Sequence, residues 1–527
     1  MRRKISGWVI AVLCAILVFG CGGASSLDDV KLYVAPDGND AWSGTLKRPA
    51  ADGSDGPLAT PGGAVNRLRQ LRAEGRITGA PVRVIFQEGR YYLAEPVTLS
   101  PEDSGGPNAP VIFESAPGAD VTWDGGVPVT GWRAESDGTW SAAAPPGCGA
   151  PGVPVSALWI NGQRRTPART PNARNVNGDF PRDEELFFME SPVTETDSAG
   201  KEVSSRTDFR FRPGDLKSWP GLEDARVVVY HSWETSLCRV SSLDEENRVV
   251  TFTSPAVWPY GQWVKNQWYF VEHLAEALDQ PGEWVHRTRE GLIRYMPLPG
   301  ESPETVEAFV PRLRQLLVLQ GQPEAGRYVE HIHFRGIAFE HTDYPIGQEG
   351  HHDSQAAHSV NAAVEWTGAR YCTLEDCRIA HTGNYGLWFR RGCQRNVARR
   401  CAAYDLGAGG ARIGECGNPA TENEAAAWNE IDNSIFLDGG RIFRGAVGLW
   451  IGRSSYNRLS HNEVGWFRYT GISVGWSWGY DPSSAHHNTV EYNHVHHIGQ
   501  GQLKRGFPPA PDPMRRDVPR AAAGPVG

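Results

Sequence analysis

Residues 370–415 read RYCTLEDCRIAHTGNYGLWFRRGCQRNVARRCAAYDLGAGGARIGE and contain one short pattern twice. The pattern is Asn or Cys, an aliphatic residue, a small or amide residue, a second apolar residue, and then Gly. Three looser copies follow, and the five copies start at Cys372, Asn396, Asn429, Asn457 and Asn488. These starts lie 24, 33, 28 and 31 residues apart (396−372, 429−396, 457−429 and 488−457). A period of about 20 to 50 residues is typical of solenoids and propellers.

Each repeat has the character of very short strands and tight turns. Its apolar positions fall in runs of three to five residues that Gly interrupts, and no stretch keeps a helical period long enough for a helix. A unit this small cannot bury its apolar face alone, so it must stack on its neighbours. Asn, Cys and Ser recur at one position, which indicates a ladder of side chains that bond adjoining turns. The sequence therefore predicts an all-β fold, a right-handed parallel β-helix with one coil per repeat.

Residues 1–21 have the features of an export signal. Basic residues at positions 2–4 precede an apolar run at 8–19, which is short for a membrane-spanning helix. The sequence VFGC at 18–21 resembles a bacterial lipobox, which would make Cys21 the lipidated first residue of the mature protein. Because Phe19 is bulky for that motif, ordinary cleavage nearby is the alternative. Both interpretations predict an exported protein in the periplasm or at the cell surface, and the first adds a lipid anchor in the bacterial membrane.

The rest of the chain divides into four parts. Residues 22–130 are predicted to form an N-terminal cap and the first coils. A capping helix is expected between Thr60 and Gly75, where apolar residues have helical spacing. Residues 131–325 lack the repeat and are rich in Trp and Tyr, which predicts an inserted all-β domain resembling a sandwich. The repeats fill 326–503. Residues 504–527 carry much Pro, Arg and Ala without a strand pattern, and predict either a disordered tail or a frameshift that has removed the last coils.

Charge and cysteine usage narrow the classes of partner. The 527 residues carry a formal charge of −9, which gives no support to nucleic-acid binding. Five cysteines crowd into two coils without the Cys-x-x-Cys spacing of a zinc site, at positions 372, 377, 393, 401 and 416. We expect buried free thiols there, with one disulfide between neighbouring coils as the alternative. The sequence predicts no cofactor and no metal, with a metal bound by His351, His352 and Asp353 as the alternative.

Several motifs together resemble bacterial β-helix proteins of glycoside hydrolase family 141. They are YVAPDGNDAWSGT, HTGNYGLW, DLGAGGARIGE, AVGLWIGRSSYN, HNEV, YTGISVGWSWGY and NHVHHIGQG, and they span most of residues 31–503. The resemblance implies the β-helix fold and hydrolysis of plant cell-wall glycans, for which the family includes fucosidase and xylanase activities. Members usually continue past the Gly-Gln-Gly point with a Ser-Asp-Met-Gly-Gly-like run and more coils, and this sequence departs from them there.

A catalytic pair follows from aligning the repeats, because equivalent residues of adjoining coils lie about 4.8 Å apart. Flanking arginines would keep Glu415 ionised, whereas Asp438 beside Asp405 would raise the pKa of one of them. One ionised and one protonated carboxyl is what a glycosidase needs. We therefore predict Glu415 as base or nucleophile and Asp405 as acid, against the alternatives of a structural ion pair and a turn residue. The two aligned columns are His381, Asp405, Asp438, Tyr469 and His497, and Arg391, Glu415, Arg453 and Trp476.

Substrate-binding groups are expected on the loop at 342–357, which is too long for a coil turn. Trp476, Trp478 and Tyr480 alternate and therefore share a face, which would suit stacking on a sugar ring, with core packing as the alternative. The predicted substrate-binding residues are His341, Asp353, Gln355, His381, Trp476, Trp478 and Tyr480.

These features predict an exported glycoside hydrolase that acts on a complex polysaccharide. A polysaccharide lyase is the first alternative, although the absence of Lys from residues 327–503 leaves only Arg as its usual base. A non-catalytic surface protein that binds glycans is the second. The expected partner is a polysaccharide or oligosaccharide, with no nucleic acid and no membrane contact except through a lipid anchor.

Overall fold

The computed structural model describes residues 29–172 and 186–499. The predicted signal peptide with Cys21 and the off-pattern residues 504–527 lie outside this range. Within it, no helix combines the length and the apolar character needed to cross a membrane.

Three parallel sheets wind through the described chain and form the coils. Sheet A contains nine strands: Val30–Val34, Val82–Phe86, Val111–Ser115, Ile332–Arg335, Thr373–Glu375, Val397–Arg399, Glu430–Asp432, Arg458–Ser460 and Thr489–Glu491. Sheet B contains eight: Gly89–Tyr92, Val121–Asp124, Ile337–Glu340, Arg378–Thr382, Ala402–Leu406, Ile435–Gly439, Glu463–Phe467 and His494–His496. Sheet C contains seven: Val97–Leu99, Leu317–Gln320, Ala362–Thr367, Tyr385–Phe389, Ala411–Ile413, Val447–Ile451 and Thr470–Val474. The predicted parallel β-helix is confirmed.

The repeat pattern explains why the coils stack in register. The aliphatic position of each repeat is a buried core residue, as at Leu374, Ile431 and Leu459. The Asn position forms a ladder, in which Nδ2 of Asn396 donates to Oδ1 of Asn429 over 2.9 Å and Nδ2 of Asn429 donates to Oδ1 of Asn457 over 3.3 Å. Both features repeat once per coil, so a one-residue slip would bury polar groups and break the ladder.

The ladder cysteines are free thiols, as expected. Cys372, Cys377, Cys393 and Cys401 are all buried, and Cys416 is half-buried. Burial raises the pKa of the Cys372 thiol to about 12, which keeps it a small apolar group.

The predicted capping helix is confirmed at Pro61–Ala73. Its N-cap is Thr60, whose side chain accepts a hydrogen bond from the backbone N–H of Gly63 over 2.8 Å. Pro61 occupies the first turn, where its missing N–H costs nothing. The helix buries Ala64, Val65, Leu68 and Leu71 against the first coil and so covers the end of the core. Short 3₁₀ turns lie at Pro101–Asp103, Ala275–Ala277, Pro323–Ala325 and Glu422–Glu424.

The insertion is all-β and holds two separate cores. Sheets D and E enclose the first core, and sheets F and G the second. Sheet D contains Gln163–Arg164, Trp159–Ile160, Ala308–Pro311 and Gly126–Pro128, and sheet E contains Thr166–Pro167, Glu283–Arg287, Leu292–Tyr295, Trp140–Ala143 and Arg133–Ala134. Sheet F contains Arg169–Thr170, Trp268–Glu272, Arg226–Tyr230, Thr235–Cys238 and His351–His352, with Phe187–Phe188 beside Trp268–Glu272; sheet G contains Ser191–Thr196, Glu202–Arg210, Val249–Phe252 and Val240–Asp244.

The insertion packs on the outer face of sheet C. One apolar cluster joins Val228 and Phe270 of the insertion to Tyr385, Trp388 and Trp450 of the coils. The loop that follows sheet-B strand Ile337–Glu340 contributes His351–His352 as an edge strand of sheet F, where His351 pairs with Leu237. The coils resume at Leu317–Gln320, because the run LLVLQ is a sheet-C strand although it lacks the repeat pattern.

Candidate active site

One residue per coil takes a left-handed backbone conformation where sheet B turns toward sheet C. Non-glycine residues seldom adopt positive φ, and Asn, Asp and His do so most readily. The column is occupied by His341 (φ 62°), His381 (56°), Asp405 (52°), Asp438 (59°), Trp466 (61°) and His497 (47°). The sequence alignment placed Tyr469 in this column, but Gly439 pairs with Phe467, so Trp466 takes the position. The spacing misled because this coil has Arg468 where the other repeats have Gly, so the next glycine, Gly471, marked the wrong position.

Asp405 is the most heavily contacted member of this column. Its Oδ2 accepts hydrogen bonds from Nε1 of Trp159 over 2.7 Å and from Nδ1 of His381 over 2.8 Å. Its Oδ1 accepts from Nε of Arg164 over 2.6 Å, and Nη2 of Arg164 also donates to the Asp405 carbonyl over 3.0 Å. Trp159 and Arg164 come from the hairpin of sheet D. Side chains from the insertion and from the coils therefore form this site together.

Asp405 is an ionised carboxylate. Burial opposes its ionisation, but the charge of Arg164 and the hydrogen bond from His381 outweigh burial and hold the pKa of Asp405 well below its usual range. Asp438 lies on the next coil, since Tyr404 pairs with Leu437. A carboxylate held this firmly in its charged form does not fit the role of general acid that the sequence suggested for Asp405.

His381 and His341 each face an aspartate through Nδ1. Nδ1 of His341 lies 2.9 Å from Oδ1 of Asp124, and the two imidazole rings stack with centroids 5.3 Å apart. Because an ionised carboxylate only accepts hydrogen bonds, Nδ1 of His381 carries a proton, and in a neutral imidazole Nε2 would be the acceptor. Nε2 of His381 has no hydrogen-bond partner among the described residues.

Three arginines, Arg441, Arg444 and Arg468, lie on the two coils that follow the coil of Asp405. Nη2 of Arg441 lies 2.6 Å from Oδ2 of Asp438. A Cβ added at Gly440 would lie 3.2 Å from Cβ of Arg468 and 3.6 Å from Cα of Arg444, so these two residues flank Gly440. Burial and the charge of Arg441 lower the pKa of Arg468 to about 9. We call His381, Asp405, Asp438, Arg441 and Arg468 the corner site.

Glu415 does not belong to the corner site. It follows sheet-C strand Ala411–Ile413, whereas Asp405 lies before that strand. Its Oε1 lies 2.9 Å from Nε of Arg390, whose Nη1 lies 3.0 Å from Oε1 of Glu365. None of the groups that contact Asp405 contacts Glu415. The structure thus gives Glu415 the surroundings of an ion-pair network on sheet C and does not bring the predicted catalytic pair together.

Asp353 and Gln355 lie on the loop between sheet C and the insertion. Asp353 is buried and lies 3.2 Å from Nε2 of His351 and 3.3 Å from Nε2 of His358. Burial opposes its ionisation, but the hydrogen bond from His351 and the charges of both histidines hold the pKa of Asp353 below its usual value. Nε2 of Gln355 donates to the hydroxyl of Tyr469 over 3.1 Å. These contacts hold the loop on sheet C.

The predicted aromatic row lies beside this loop and is unequally exposed. Trp476 packs on Trp450 with ring centroids 4.5 Å apart and on His358 at 6.1 Å. Trp478 contacts Trp476 at 4.9 Å and is exposed over 63% of its surface. Tyr480 is fully exposed. Trp478 and Tyr480 are thus available for stacking, whereas Trp476 is half-buried.

Sequence reasoning missed the contribution of the insertion. Trp159 and Arg164 occur in the run VSALWINGQRR, which reads as a plain strand and turn. Glu234 was missed as well: its carboxyl accepts hydrogen bonds from the backbone N–H groups of Thr235 and Ala357, both over 2.9 Å, and burial raises its pKa to about 8. A Trp and an Arg within one short run of a domain without repeats were the available signal, although they do not name a partner.

Comparison with known proteins gives the following relatives. A family model described as a right-handed β-helix region matches residues 357–506. A solved structure described as a glycoside hydrolase matches with a TM-score of 0.71 and 22% identity, over 90% of this chain and 84% of that one. No curated protein sequence matches.

Two other solved structures are more distant. A complex of XylC with xylose matches with a TM-score of 0.43 and 12% identity, over 89% of this chain and 63% of that one. A rhamnogalacturonan lyase matches with a TM-score of 0.36 and 10% identity, over 89% and 68%. Both scores are too low to bear on the fold. The chain is a right-handed parallel β-helix protein with the overall fold of the solved glycoside hydrolase.

Proposed function

We propose that this protein is a carbohydrate-active enzyme, a glycoside hydrolase that cleaves a complex polysaccharide of the plant cell-wall type at the corner site. The observation that carries the proposal is the firmly ionised Asp405 on the coil beside the more exposed Asp438. Glycosidases place an acid and a base at the scissile bond, most often two carboxyls, and here Asp438 and Nε2 of His381 would be the groups that face the sugar. The fold shared with a solved glycoside hydrolase supports the proposal.

The roles differ from those that the sequence suggested. Asp405 is enclosed by Trp159, Arg164 and His381, so it orients His381 and supplies negative charge. Asp438 is exposed over 31% of its side chain, against 12% for Asp405, and can reach a sugar. Asp438 is the proposed acid or base that contacts the substrate, and Nε2 of His381 is the neighbouring proton acceptor. Trp478 and Tyr480 are proposed to stack on sugar rings farther along the chain of the polysaccharide.

The test compares two matched aspartates. Asp376 resembles Asp438, because it sits at positive φ (54°) and pairs with one arginine, Arg400, over 2.7 Å. However, it lies after a strand of sheet A rather than sheet B. With plant cell-wall polysaccharides as substrates, we expect Asp438→Asn to lower the release of reducing ends by about 100-fold or more, the scale of acid-base catalysis, and Asp376→Asn to leave it unchanged.

Two other outcomes would contradict the proposed site or the proposed activity. If Glu415→Gln abolishes turnover and Asp438→Asn does not, the active centre lies on sheet C and the corner proposal fails. If no polysaccharide yields products but one binds, the protein is a glycan-binding module and the hydrolase proposal fails.

Arg468 favours a second candidate, a polysaccharide lyase. Arg468 is half-buried, forms no hydrogen bond or ion pair with a described residue, and has its pKa lowered to about 9 by burial and by the charge of Arg441. A lyase needs such a base and acts on uronate sugars, whose carboxylates the three arginines would attract. Products that absorb ultraviolet light and disappear in Arg468→Gln would establish the lyase. Reducing ends without absorbance would establish the hydrolase.

We also propose that the protein is exported and anchored through a lipid on Cys21. The basic start, the apolar run and the VFGC motif support this. In bacterial cells, Cys21→Ser should move the protein from the membrane fraction to a soluble fraction. An unchanged distribution would remove the anchor from the proposal and leave ordinary cleavage.

A further inference from the structure

Two histidines and a glutamate meet on the outer face of sheet B in its last two described coils. Glu463 pairs with His494 in the parallel register, and Gly465 pairs with His496. Because strand side chains alternate, His494 and His496 share a face, with the core-facing Val495 between them. One ligand atom from each of Glu463, His494 and His496 lies within 4.8 Å of the others.

The surroundings of His496 are those of a metal ligand. Its Nε2 lies 3.0 Å from Oε1 of Glu463, and its Nδ1 lies 2.8 Å from Nδ1 of His497. Ligand histidines commonly donate their second ring N–H to a neighbour, which fixes the ring and the tautomer. His497 is itself held by stacking on Trp466, with ring centroids 4.1 Å apart. Nε2 of His496 faces a carboxylate that accepts its hydrogen bond, and a cation would take the place of that proton. Nδ1 of His496 would then donate to His497.

Gly465 leaves the space that this arrangement needs. A Cβ at position 465 would lie 2.4 Å from Cε1 of His496, so a larger residue would push the ring away from Glu463. The equivalent residue one coil earlier is Leu437. The imidazole of His496 can lie flat against the strand only because this position is glycine.

For comparison, a second group of potential ligands in the described chain is buried and already paired with other side chains. Asp124, Glu340 and His341 are equally close together but are all buried. The guanidinium of Arg90 pairs with Asp124 and lies 3.2 Å from Glu340, and Arg378 lies 3.1 Å from Glu340, so both carboxylates already have arginine partners. In contrast, no Lys or Arg pairs with Glu463 among the described residues. Its charge is available to a cation.

We propose that Glu463, His494 and His496 bind Zn²⁺ at the surface of sheet B. Imidazole nitrogen and carboxylate oxygen are ligands that zinc prefers, and three protein ligands leave one position for water. The site is separate from the corner site and does not depend on the proposed hydrolase activity. Nickel and copper take similar ligands and are the competitors.

The test uses the full chain, stripped with chelator and titrated with zinc chloride alone in a calorimeter. We expect one zinc ion per chain. His494→Ala and Glu463→Gln should each weaken binding by about 10-fold or more, and His497→Ala should weaken it by about 10-fold as the loss of an outer-shell partner. Because the histidines must be neutral to bind, affinity should fall on acidification.

The matched control is His486→Ala. His486 and His487 are also neighbours, with Nδ1 atoms 2.8 Å apart, but no carboxylate of residues 29–172 or 186–499 joins them. This variant should bind zinc as the wild type does. Far-ultraviolet circular dichroism should be unchanged in all variants, and zinc should raise the melting temperature of the wild type but not of Glu463→Gln. Absence of stoichiometric binding would overturn the proposal, as would loss of binding in His486→Ala or retention in the His494→Ala, Glu463→Gln double variant.

Discussion

Replacing Asp405 by Asn tests whether the corner site is built around a buried charge. Three donors converge on this carboxylate: Nε1 of Trp159 at 2.7 Å, Nε of Arg164 at 2.6 Å and Nδ1 of His381 at 2.8 Å. An amide keeps the size but offers one acceptor oxygen, so its NH₂ group must face at least one of these donors. Arg164 would lose its ionised partner where its side chain is only 13% exposed.

The expected cost follows from breaking a buried ion pair. Removing one partner of such a pair costs about 3–5 kcal/mol, because the remaining charge is left buried. Asp438→Asn is the comparison, since Asp438 is more exposed and contacts a single arginine; a pair of that kind is worth about 0–1 kcal/mol. Urea unfolding at pH 7, followed by tryptophan fluorescence, measures both changes. A free energy of unfolding for Asp405→Asn within about 1 kcal/mol of that for Asp438→Asn would refute the reasoning.

The dependence on pH gives an independent check. The pKa of Asp405 is depressed in the folded protein, so its carboxylate contributes stability that is fully present above the unfolded pKa of about 3.9. That contribution is lost as the pH falls below this value toward the folded pKa. The stability difference between wild type and Asp405→Asn should therefore be constant from pH 7 to 5 and shrink below about pH 4. A difference that grows on acidification would show that Asp405 is not held as an anion.

Three other predictions concern the coils. Asn429→Ala should lower the free energy of unfolding by about 1–3 kcal/mol, because it leaves the buried N–H of Asn396 without a partner and removes one of the two hydrogen bonds to the C=O of Cys393. Urea unfolding of Asn429→Ala beside wild type checks this, and a change below about 1 kcal/mol would mean that the ladder adds little. Thr60→Ala should cost about 1 kcal/mol through the lost N-cap, whereas Thr60→Ser should restore most of it, as thermal melting of the two variants would show. The last prediction concerns the four buried ladder thiols, Cys372, Cys377, Cys393 and Cys401. A thiol reagent at pH 8 should leave them unmodified until denaturant is added, since burial raises the pKa of each. Rapid labelling of any of them in the native protein, measured by mass, would contradict their burial.

The repeating parts of the fold were predictable from sequence because their signals are local. The Asn, aliphatic and Gly positions recur within one coil, and neighbours in the stack are the same positions of the next repeat. The capping helix was equally readable from Thr60, Pro61 and Gly75. Register was less secure, because one coil has Arg468 in place of the marker glycine, and this is why Tyr469 was aligned where Trp466 lies.

The contacts of the corner site could not be predicted from local sequence patterns. Trp159 and Arg164 lie 246 and 241 residues from Asp405 in the chain, and they sit in a domain without repeats. Asp405 also occupies a left-handed turn position that Asp favours for conformational reasons alone. In the sequence, an Asp that only forms a turn therefore looks the same as an Asp that belongs to the proposed site. Only the contacts with the insertion distinguish the two.

The insertion also explains which coil carries the accessible chemistry. The left-handed column is structurally equivalent from coil to coil, yet its side chains are more exposed beyond Asp405: those of His341, His381 and Asp405 are 3%, 13% and 12% exposed, that of Asp438 is 31% exposed, and Trp466 is exposed as well. The hairpin with Trp159 and Arg164 covers the first three positions and ends at Asp405. Under the proposed function, a substrate would approach from the side of Asp438, with Asp405 and His381 behind it. In a fold made of equivalent coils, the place where the insertion stops covering the column would then determine which coil exposes the proposed site.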